Sequence, residues 1–251
     1  MVHNVLIRGE RDEASLADFC SRARGLRFKA VALRIGPAEP LTLETPDAEC
    51  TAMRTAIEAA HLRIAALFPT FDPACHFGSR AEEVRHQAID RAKAALDLAA
   101  RFRAETVVVQ PAAVADTPDA LSAPGSYADA LNGTHFALQR LRYHAERCGV
   151  TLGLIAPGDR FLLSPVEFRE LIDEEHVPCV GACIDLDAVA AVGRADDWIH
   201  ILAPRICCIR AANPAGTHGW HLTRRALEEV GYTGPICSTA SQALARGTPV
   251  A

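Results

Sequence analysis

Short apolar runs of strand length alternate along the chain with longer stretches that carry apolar residues at helical spacing. Several of the short runs are continuously apolar rather than alternating, most clearly those beginning at Thr106 and Ile206. Continuous apolar strands are typical of parallel sheets that are buried on both faces. The pattern predicts eight strands, at residues 5–8, 30–34, 63–68, 106–110, 151–156, 180–185, 206–211 and 235–239.

Polar and proline signals predict where several helices begin and end. Residues 79–82 and 164–167 follow the Ser-x-x-Glu pattern of a capping box, and the second of these places Pro165 at the first helical position. Thr45 and Pro46 predict another helix start of the same kind. Gly149 predicts a helix stop before the fifth strand.

The repeating order of strand and helix favours a parallel sheet, and eight such units close as a (β/α)₈ TIM barrel. The chain has 251 residues and no linker-like segment, so we expect a single domain over residues 1–251. Periodicity alone leaves a doubly wound open sheet as an alternative. Only residues 240–251 follow the eighth strand, which predicts that the last helix is short or missing.

Composition and charge argue against two classes of partner. Charged residues make up 23% of the chain and its formal net charge is −5, whereas proteins that bind nucleic acids carry clustered Lys and Arg. No run is apolar for long enough to cross a membrane, and the first nine residues lack the pattern of a secretory leader. We therefore expect a cytoplasmic protein with a small-molecule ligand, no nucleic-acid partner and no membrane contact.

The nine cysteines predict no cofactor by their spacing. Cys183, Cys207, Cys208 and Cys237 lie in or beside apolar strand-like runs, where cysteine behaves as a small apolar residue. The chain has no C-x-x-C pair, which argues against a zinc motif or a redox motif, so we expect reduced thiols. It also lacks a phosphate-cradling G-x-G-x-x-G, so no nucleotide cofactor is indicated.

Four segments together resemble one family of barrels. Residues 80–112, with Leu96-Asp97-Leu98 and Val107-Val108-Val109-Gln110-Pro111, look like its central helix–strand unit. Residues 145–152, 163–185 and 231–236 are similar to three later junctions. The family is the sugar phosphate isomerase/epimerase family, which belongs to the xylose isomerase-like barrels. The resemblance implies a barrel rather than an open sheet, and a role in carbohydrate metabolism.

The resemblance also implies a metal site at the carboxyl ends of the strands. There the family holds a divalent cation with carboxylates and histidines. Isomerising or epimerising a sugar moves a proton next to a carbonyl group, and a Lewis acid stabilises the enediolate charge that develops. A carboxylate or an imidazole then moves the proton.

Most of these ligand positions are filled by other residues in this chain. Asp185, at the end of the sixth strand, is retained, but a catalytic metal needs about three protein ligands. The sequence therefore predicts no metal cofactor and a degenerate metal site. The other positions fall on Ala32, Gln110, Ile155, Ala188, Arg210 and Thr239.

The replacing residues predict a different pocket. Arg210 beside Asp185 would occupy the place of the cation and leave Arg34 free to hold an anion, because a guanidinium forms paired hydrogen bonds with carboxylate or phosphate. We take Asp185 and Arg210 as catalytic candidates. Arg8 is a weaker candidate at the first strand. The predicted substrate-binding residues are Arg34, Gln110, Thr239, Trp220 and His76.

Three functions remain open on the sequence. The first is an isomerase or epimerase whose site works without a metal, with Asp185 as base and Arg210 as electrophile. The second is a catalytically inactive barrel that binds a ligand or a partner, in which the two residues form a structural salt bridge. The third, a phosphodiesterase of the superfamily's endonuclease branch, needs more metal ligands and a basic face. His135, His144 and His200 are expected on the outer surfaces of helices.

Overall fold

Eight parallel strands form a closed barrel in the order of the sequence, β1-β2-β3-β4-β5-β6-β7-β8. The computed structural model describes residues 3–8, 15–70, 75–114, 125–158, 160–175, 178–211 and 219–239. Direct pairing of the first strand with the eighth excludes the open sheet and confirms the predicted barrel. The strands are β1 (His3–Arg8), β2 (Ala30–Ile35), β3 (Arg63–Pro69), β4 (Thr106–Val109), β5 (Thr151–Ala156), β6 (Val180–Asp185), β7 (Ile206–Arg210) and β8 (Pro235–Thr239).

Helices follow the strands and pack around the barrel. In the described part of the chain β6 is followed by two α-helices, one of them a single turn, and by a 3-10 helix (Ala203–Arg205). Strands β1 to β5 and β7 are each followed by one helix. The prediction of a short or missing last helix concerns residues 240–251, which lie outside the described residues. The helices are α1 (Leu16–Gly25), α2 (Asp47–Ala59), α3 (Glu82–Phe102), α4 (Tyr127–Cys148), α5 (Pro165–Glu175), α6 (Leu186–Val189), α7 (Ala195–Leu202) and α8 (Trp220–Glu229).

None of the helices within these described ranges combines the length and the apolar character that a membrane span requires.

Two apolar clusters explain why the strands are apolar on both faces. The larger one, which we call the outer core, fills the space between the barrel and its helices and contains fully buried Trp198, Phe19, Phe102 and Phe168. Burying a large side chain of this kind stabilises the fold by roughly 1.5–3 kcal/mol. The smaller one fills the barrel itself, and we call it the lumen cluster. It consists of Val5, Ile7, Ala30, Ala32, Ala65, Ala66, Val108, Cys183, Cys208 and Cys237.

Two of the predicted helix starts are wrong. The Ser79 hydroxyl accepts a hydrogen bond from the N–H of Ala81, two residues away, and α3 begins only at Glu82 with no side-chain cap. The helix after Thr45 begins at Asp47, because Thr45 accepts from the N–H of Thr42 in the preceding turn instead of capping. In both places a local turn uses the hydroxyl group that the pattern assigned to a helix.

The remaining start and stop signals are confirmed, and two capping boxes occur at positions that the sequence did not predict. Pro165 is the first residue of α5, and Gly149 ends α4 in the left-handed conformation with φ of 65°. Capping boxes are present at Ser15 with Asp18 and at Ser126 with Asp129. Both use aspartate at the third helical position, whereas the Ser-x-x-Glu pattern has glutamate there.

All nine cysteines lie within the described residues, and none of them forms a disulfide. Five are buried, and the other four, including Cys207, are half-buried. A side chain added at Gly153 or Gly181 would approach the Cys207 sulfur to 3.0 Å. The sulfur therefore fills the space that these two glycines leave, as expected of a cysteine that packs as a small apolar residue.

Candidate active site

Strand geometry brings five of the candidate residues to one end of the barrel. Side chains alternate between the two faces of a strand, so a residue two positions after a member of the lumen cluster also points towards the barrel axis. The cluster contains Ala32, Val108, Cys183, Cys208 and Cys237. Two positions further along the same strands come Arg34, Gln110, Asp185 and Arg210, at the end of the barrel called the mouth below. The backbone of Thr239 ends β8 at the same end.

Asp185 and Arg210 form an ion pair at the mouth. They are Cα partners on β6 and β7, and Nη1 of Arg210 donates to Oδ2 of Asp185 at 2.9 Å. The Asp185 side chain is 12% exposed and the Arg210 side chain is 45% exposed. The other carboxylate oxygen, Oδ1, accepts from the N–H groups of Asp187 and Ala188 and so caps the short helix α6. Both oxygens of this carboxylate are therefore engaged in holding the structure together.

Arg34 also has a carboxylate partner, which the sequence did not predict. Its Nε lies 2.9 Å from Oε1 of Glu39, whose side chain is only 2% exposed. Glu39 follows β2 in a short loop that turns back on itself, since the N–H of Gly36 donates to the carbonyl of Leu41. The sequence predicts an Arg34 that is free to hold an anion, and the structure adds a protein partner to it. The pairing depends on how this loop folds, which no local sequence pattern indicates.

Arg8 does not belong to the mouth. Leu6, two residues earlier, packs in the outer core, so Arg8 points outwards from the barrel. Its guanidinium carbon lies 6.0 Å from the centre of the Phe19 ring on α1. The weaker sequence candidate is therefore a residue of the barrel–helix interface.

His76 is buried in the connection from β3 to α3, on the same side of the barrel as the mouth. Neither ring nitrogen has a hydrogen-bond partner among the described residues. Burial lowers the pKa of its imidazole because the charged form is desolvated. The next residue, Phe77, is held against α4 at Gly133, where an added Cβ would come within 2.1 Å of the Phe77 carbonyl oxygen. His76 is thus a neutral imidazole on a firmly packed segment.

Gln110, Trp220 and Thr239 have different surroundings. Gln110 is exposed and lies next to Gly158, where an added Cβ would stand 3.5 Å from its Nε2. Trp220 begins α8, is half-buried and packs against the outer core, and its role in a pocket wall stays a prediction. The backbone of Thr239 pairs with Ile7 of β1, and its side chain lies outside the described part of the structure.

The donor set that the described residues place at the mouth does not fit a divalent metal. Ile155 packs against the lumen cluster, and Arg210 places a positive charge beside Asp185. The carboxylates of Asp185 and Glu39 are each paired with an arginine. Within the described ranges, no three His, Cys, Asp or Glu ligand atoms converge at the mouth. A catalytic metal needs about three protein ligands, so we derive no chemical step through a metal there.

Comparisons with known proteins agree with this architecture. The family model of the xylose isomerase-like TIM barrel matches residues 20–244. D-psicose 3-epimerase from Clostridium cellulolyticum H10, solved with D-tagatose, superimposes with a TM-score of 0.80 at 12% identity, over 95% of this chain and 84% of that one. The 3-keto-D-glucoside 4-epimerase from E. coli gives 0.79 at 14% identity, over 95% and 91%.

At identities this low, the structural similarity establishes the fold alone. A search of curated proteins gave no significant match. The family model, however, covers most of the sequence, and the closed eight-stranded barrel is the architecture it describes. This chain belongs to the xylose isomerase-like TIM barrel family.

Proposed function

We propose that this barrel binds a small, anionic, sugar-derived ligand at its mouth and acts on it as an isomerase or epimerase without the divalent metal of its family. The observation that carries the proposal is the presence of two arginines at lumen-facing positions. Each is held in place by a carboxylate but keeps hydrogen-bond donors for a ligand.

The count of donors supports an anion as the ligand. A guanidinium has five N–H donors in a planar fork. Nε of Arg34 faces Glu39, and Nη1 of Arg210 faces Asp185. Within the described residues, the contact of Arg34 is an ion pair without hydrogen-bond geometry, and Arg210 makes one hydrogen bond. The two side chains are 30% and 45% exposed. Two such groups suit a carboxylate or a phosphate, because paired N–H donors match the geometry of its oxygens.

The position of Arg210 supports the proposal that it replaces a cation. By resemblance, its position in β7 corresponds to a metal-binding histidine, and its guanidinium contacts the one retained carboxylate, Asp185. A fixed positive charge at this place would stabilise the negative charge that develops on a substrate oxygen during enolisation. Arg210 would then supply the electrostatic part of the chemistry.

Two residues are candidates for moving the proton. Asp185 is the first, but proton transfer to it would weaken either its ion pair or its cap on α6. His76 is the second, because its imidazole is neutral and has no hydrogen-bond partner among the described residues. A neutral imidazole is the form that accepts a proton.

The second candidate function is a catalytically inactive barrel that only binds its ligand. It is favoured by the engagement of both Asp185 oxygens, which is what a purely structural carboxylate requires. Binding and catalysis therefore need separate experiments.

Binding is tested with a panel of ketohexoses, their phosphates and the corresponding sugar acids. We expect the anions to raise the unfolding temperature and the neutral sugars to have little effect. A ligand at 100 times its Kd stabilises the folded state by about 2.7 kcal/mol. R34Q and R210Q should each lose most of this effect, whereas R224Q, on the exposed face of α8, should retain it. Unchanged affinity in both mouth variants would refute the anion site.

Catalysis is tested by incubating any bound ligand with the protein in D₂O. The proposed enolisation removes a proton next to the carbonyl group, so deuterium should enter the ligand at that carbon. H76Q and D185N then identify which residue moves the proton. Binding without deuterium incorporation across the panel would favour the inactive barrel.

A further inference from the structure

Three metal-ligating side chains meet on the outer surface of the barrel, between α3 and α4. Nε2 of His144 lies 2.8 Å from Oδ1 of Asp97, and the Cys148 sulfur lies 3.4 Å from the same oxygen. All three potential ligand atoms are within 4.8 Å of one another. His144 and Cys148 are one turn apart on α4, so their side chains share one face of that helix.

This cluster is separate from the mouth. Asp97 lies near the end of α3, and Cys148 is the last residue of α4. In a (β/α)₈ barrel the helices run back towards the amino ends of the strands, so the carboxyl ends of the helices lie opposite the face that carries the active site. A function here does not depend on the proposed activity at the mouth.

The three ligand types and their spacing fit a tetrahedral transition metal. Zinc binds thiolate sulfur at about 2.3 Å and imidazole nitrogen or carboxylate oxygen at about 2.0–2.2 Å. In a tetrahedron these lengths place the ligand atoms about 3.4–3.6 Å apart. The 3.4 Å between sulfur and oxygen meets this requirement, and the 2.8 Å between nitrogen and oxygen has to widen by about 0.6 Å. Asp97 is exposed and can make that adjustment.

We propose that Asp97, His144 and Cys148 form a surface site for one divalent transition-metal ion, with zinc as the preferred ion and water as the fourth ligand. One carboxylate and one thiolate would balance the charge of the ion. The site also lies at the carboxyl end of α4, where the negative end of the helix dipole favours a cation.

Binding of the metal must displace a proton from Cys148. Burial, followed by the neighbouring Asp97 carboxylate, raises the pKa of this thiol, so the metal-free protein carries an S–H group at neutral pH. Formation of the metal–sulfur bond breaks the S–H bond, and the proton passes to the buffer. The affinity should therefore increase with pH.

Arg147 competes with the metal in the metal-free protein. Its Nη2 lies 3.0 Å from Nδ1 of His144, so Nδ1 accepts and the proton resides on Nε2, which faces Asp97. Coordination through Nε2 requires the other tautomer, in which Nδ1 carries the proton and no longer accepts from Arg147. Arg147 is exposed and can turn into solvent. Removing its guanidinium should strengthen metal binding, an effect that misfolding cannot produce.

Cobalt(II) is the probe, since a tetrahedral cobalt site with a thiolate ligand shows intense visible bands and a sulfur-to-cobalt charge-transfer band in the near ultraviolet. We expect the full-length wild type to bind one cobalt ion with both features and zinc to displace it. D97N, H144Q and C148S should each weaken binding by about 100-fold or more, since loss of an outer-shell partner alone costs 10–100-fold. C148S should also lose the charge-transfer band.

The matched control is C179S, which removes another half-buried thiol whose sulfur donates to the Arg142 carbonyl. It should bind cobalt like the wild type, and R147Q should bind it several-fold more tightly. A charge-transfer band that persists in C148S, or the absence of any such band in the wild type, would overturn the proposal. Weaker binding in R147Q would do the same.

Discussion

The ion pair between Asp185 and Arg210 allows the energetics of the mouth to be tested directly. Replacing Asp185 by alanine removes the ion pair and the cap on α6 together, whereas replacing Arg210 removes the ion pair alone. The double variant then shows how far the two residues depend on each other.

The expected magnitudes follow from exposure. A hydrogen bond to a charged group contributes about 1.5–3 kcal/mol, but a side chain that is 45% exposed is partly screened by water, which reduces the contribution of this ion pair to about 1 kcal/mol. Loss of a helix cap costs about 1 kcal/mol more. We therefore expect D185A to lose about 2 kcal/mol and R210A about 1 kcal/mol. The double variant should resemble D185A, since Arg210 is well solvated once its partner is gone.

Urea unfolding of the four proteins gives the coupling energy, which we expect to be about 1 kcal/mol. The control cycle uses Arg224 and Glu228, an exposed pair at 3.1 Å on α8, for which the coupling should be about 0.3–0.5 kcal/mol. Strict additivity at Asp185 and Arg210 would contradict the reasoning. The two side chains would then contribute independently, and Arg210 could not stand in for a cation bound to that carboxylate.

Two further predictions concern the segment that carries His76. G133A should lower the free energy of unfolding by about 2 kcal/mol or more, as overpacking of a filled core does, because the new Cβ would overlap the Phe77 carbonyl. The control is G25A at the end of α1, where an added Cβ meets nothing within 4 Å, and it should be neutral or slightly stabilising in the same urea assay. Burial lowers the pKa of the His76 imidazole, so the unfolded chain binds a proton at this residue more readily than the folded protein does. The contribution of His76 to the free energy of unfolding is therefore complete above about pH 6.5, the ordinary pKa of histidine. It is lost as the pH falls through the pKa of the folded state. The stability of the wild type relative to H76L should therefore decrease between pH 7 and pH 5, and a difference independent of pH would show that the imidazole is not desolvated.

The strands could be predicted closely from the sequence because burial on both faces leaves a strong local signal. The apolar run from Thr106 reaches Val109 in the structure, and the run from Val180 ends at Asp185 as predicted. Alternation along each strand then placed Asp185 and Arg210 on the lumen side. Parallel pairing of neighbouring strands at one end of the barrel brought the two residues into contact.

The parts that sequence reasoning missed depend on contacts between distant segments or on competing turns. Glu39 carries no local sign that it will be buried against Arg34, because the loop that buries it is shaped by its own backbone hydrogen bonds. Ser79 fits a capping pattern, but its hydroxyl is taken by a local turn. Asp97 and His144 stand 47 positions apart on two helices, so no spacing rule predicts that they meet.

We expect no metal at the mouth and one metal ion at the outer site formed by Asp97, His144 and Cys148. A metal analysis therefore has to distinguish the two sites. A zinc ion found in the purified wild type would by itself contradict the metal-free mouth, yet the same ion is expected at Asp97, His144 and Cys148. The C148S protein separates these cases, because it removes a ligand from the outer site and leaves the mouth unchanged. If C148S retains a stoichiometric metal and D185N loses it, Asp185 is a metal ligand, and the proposal that Arg210 replaces the cation is wrong. If C148S is metal-free and still binds the anionic ligand, the mouth recognises that ligand without a metal.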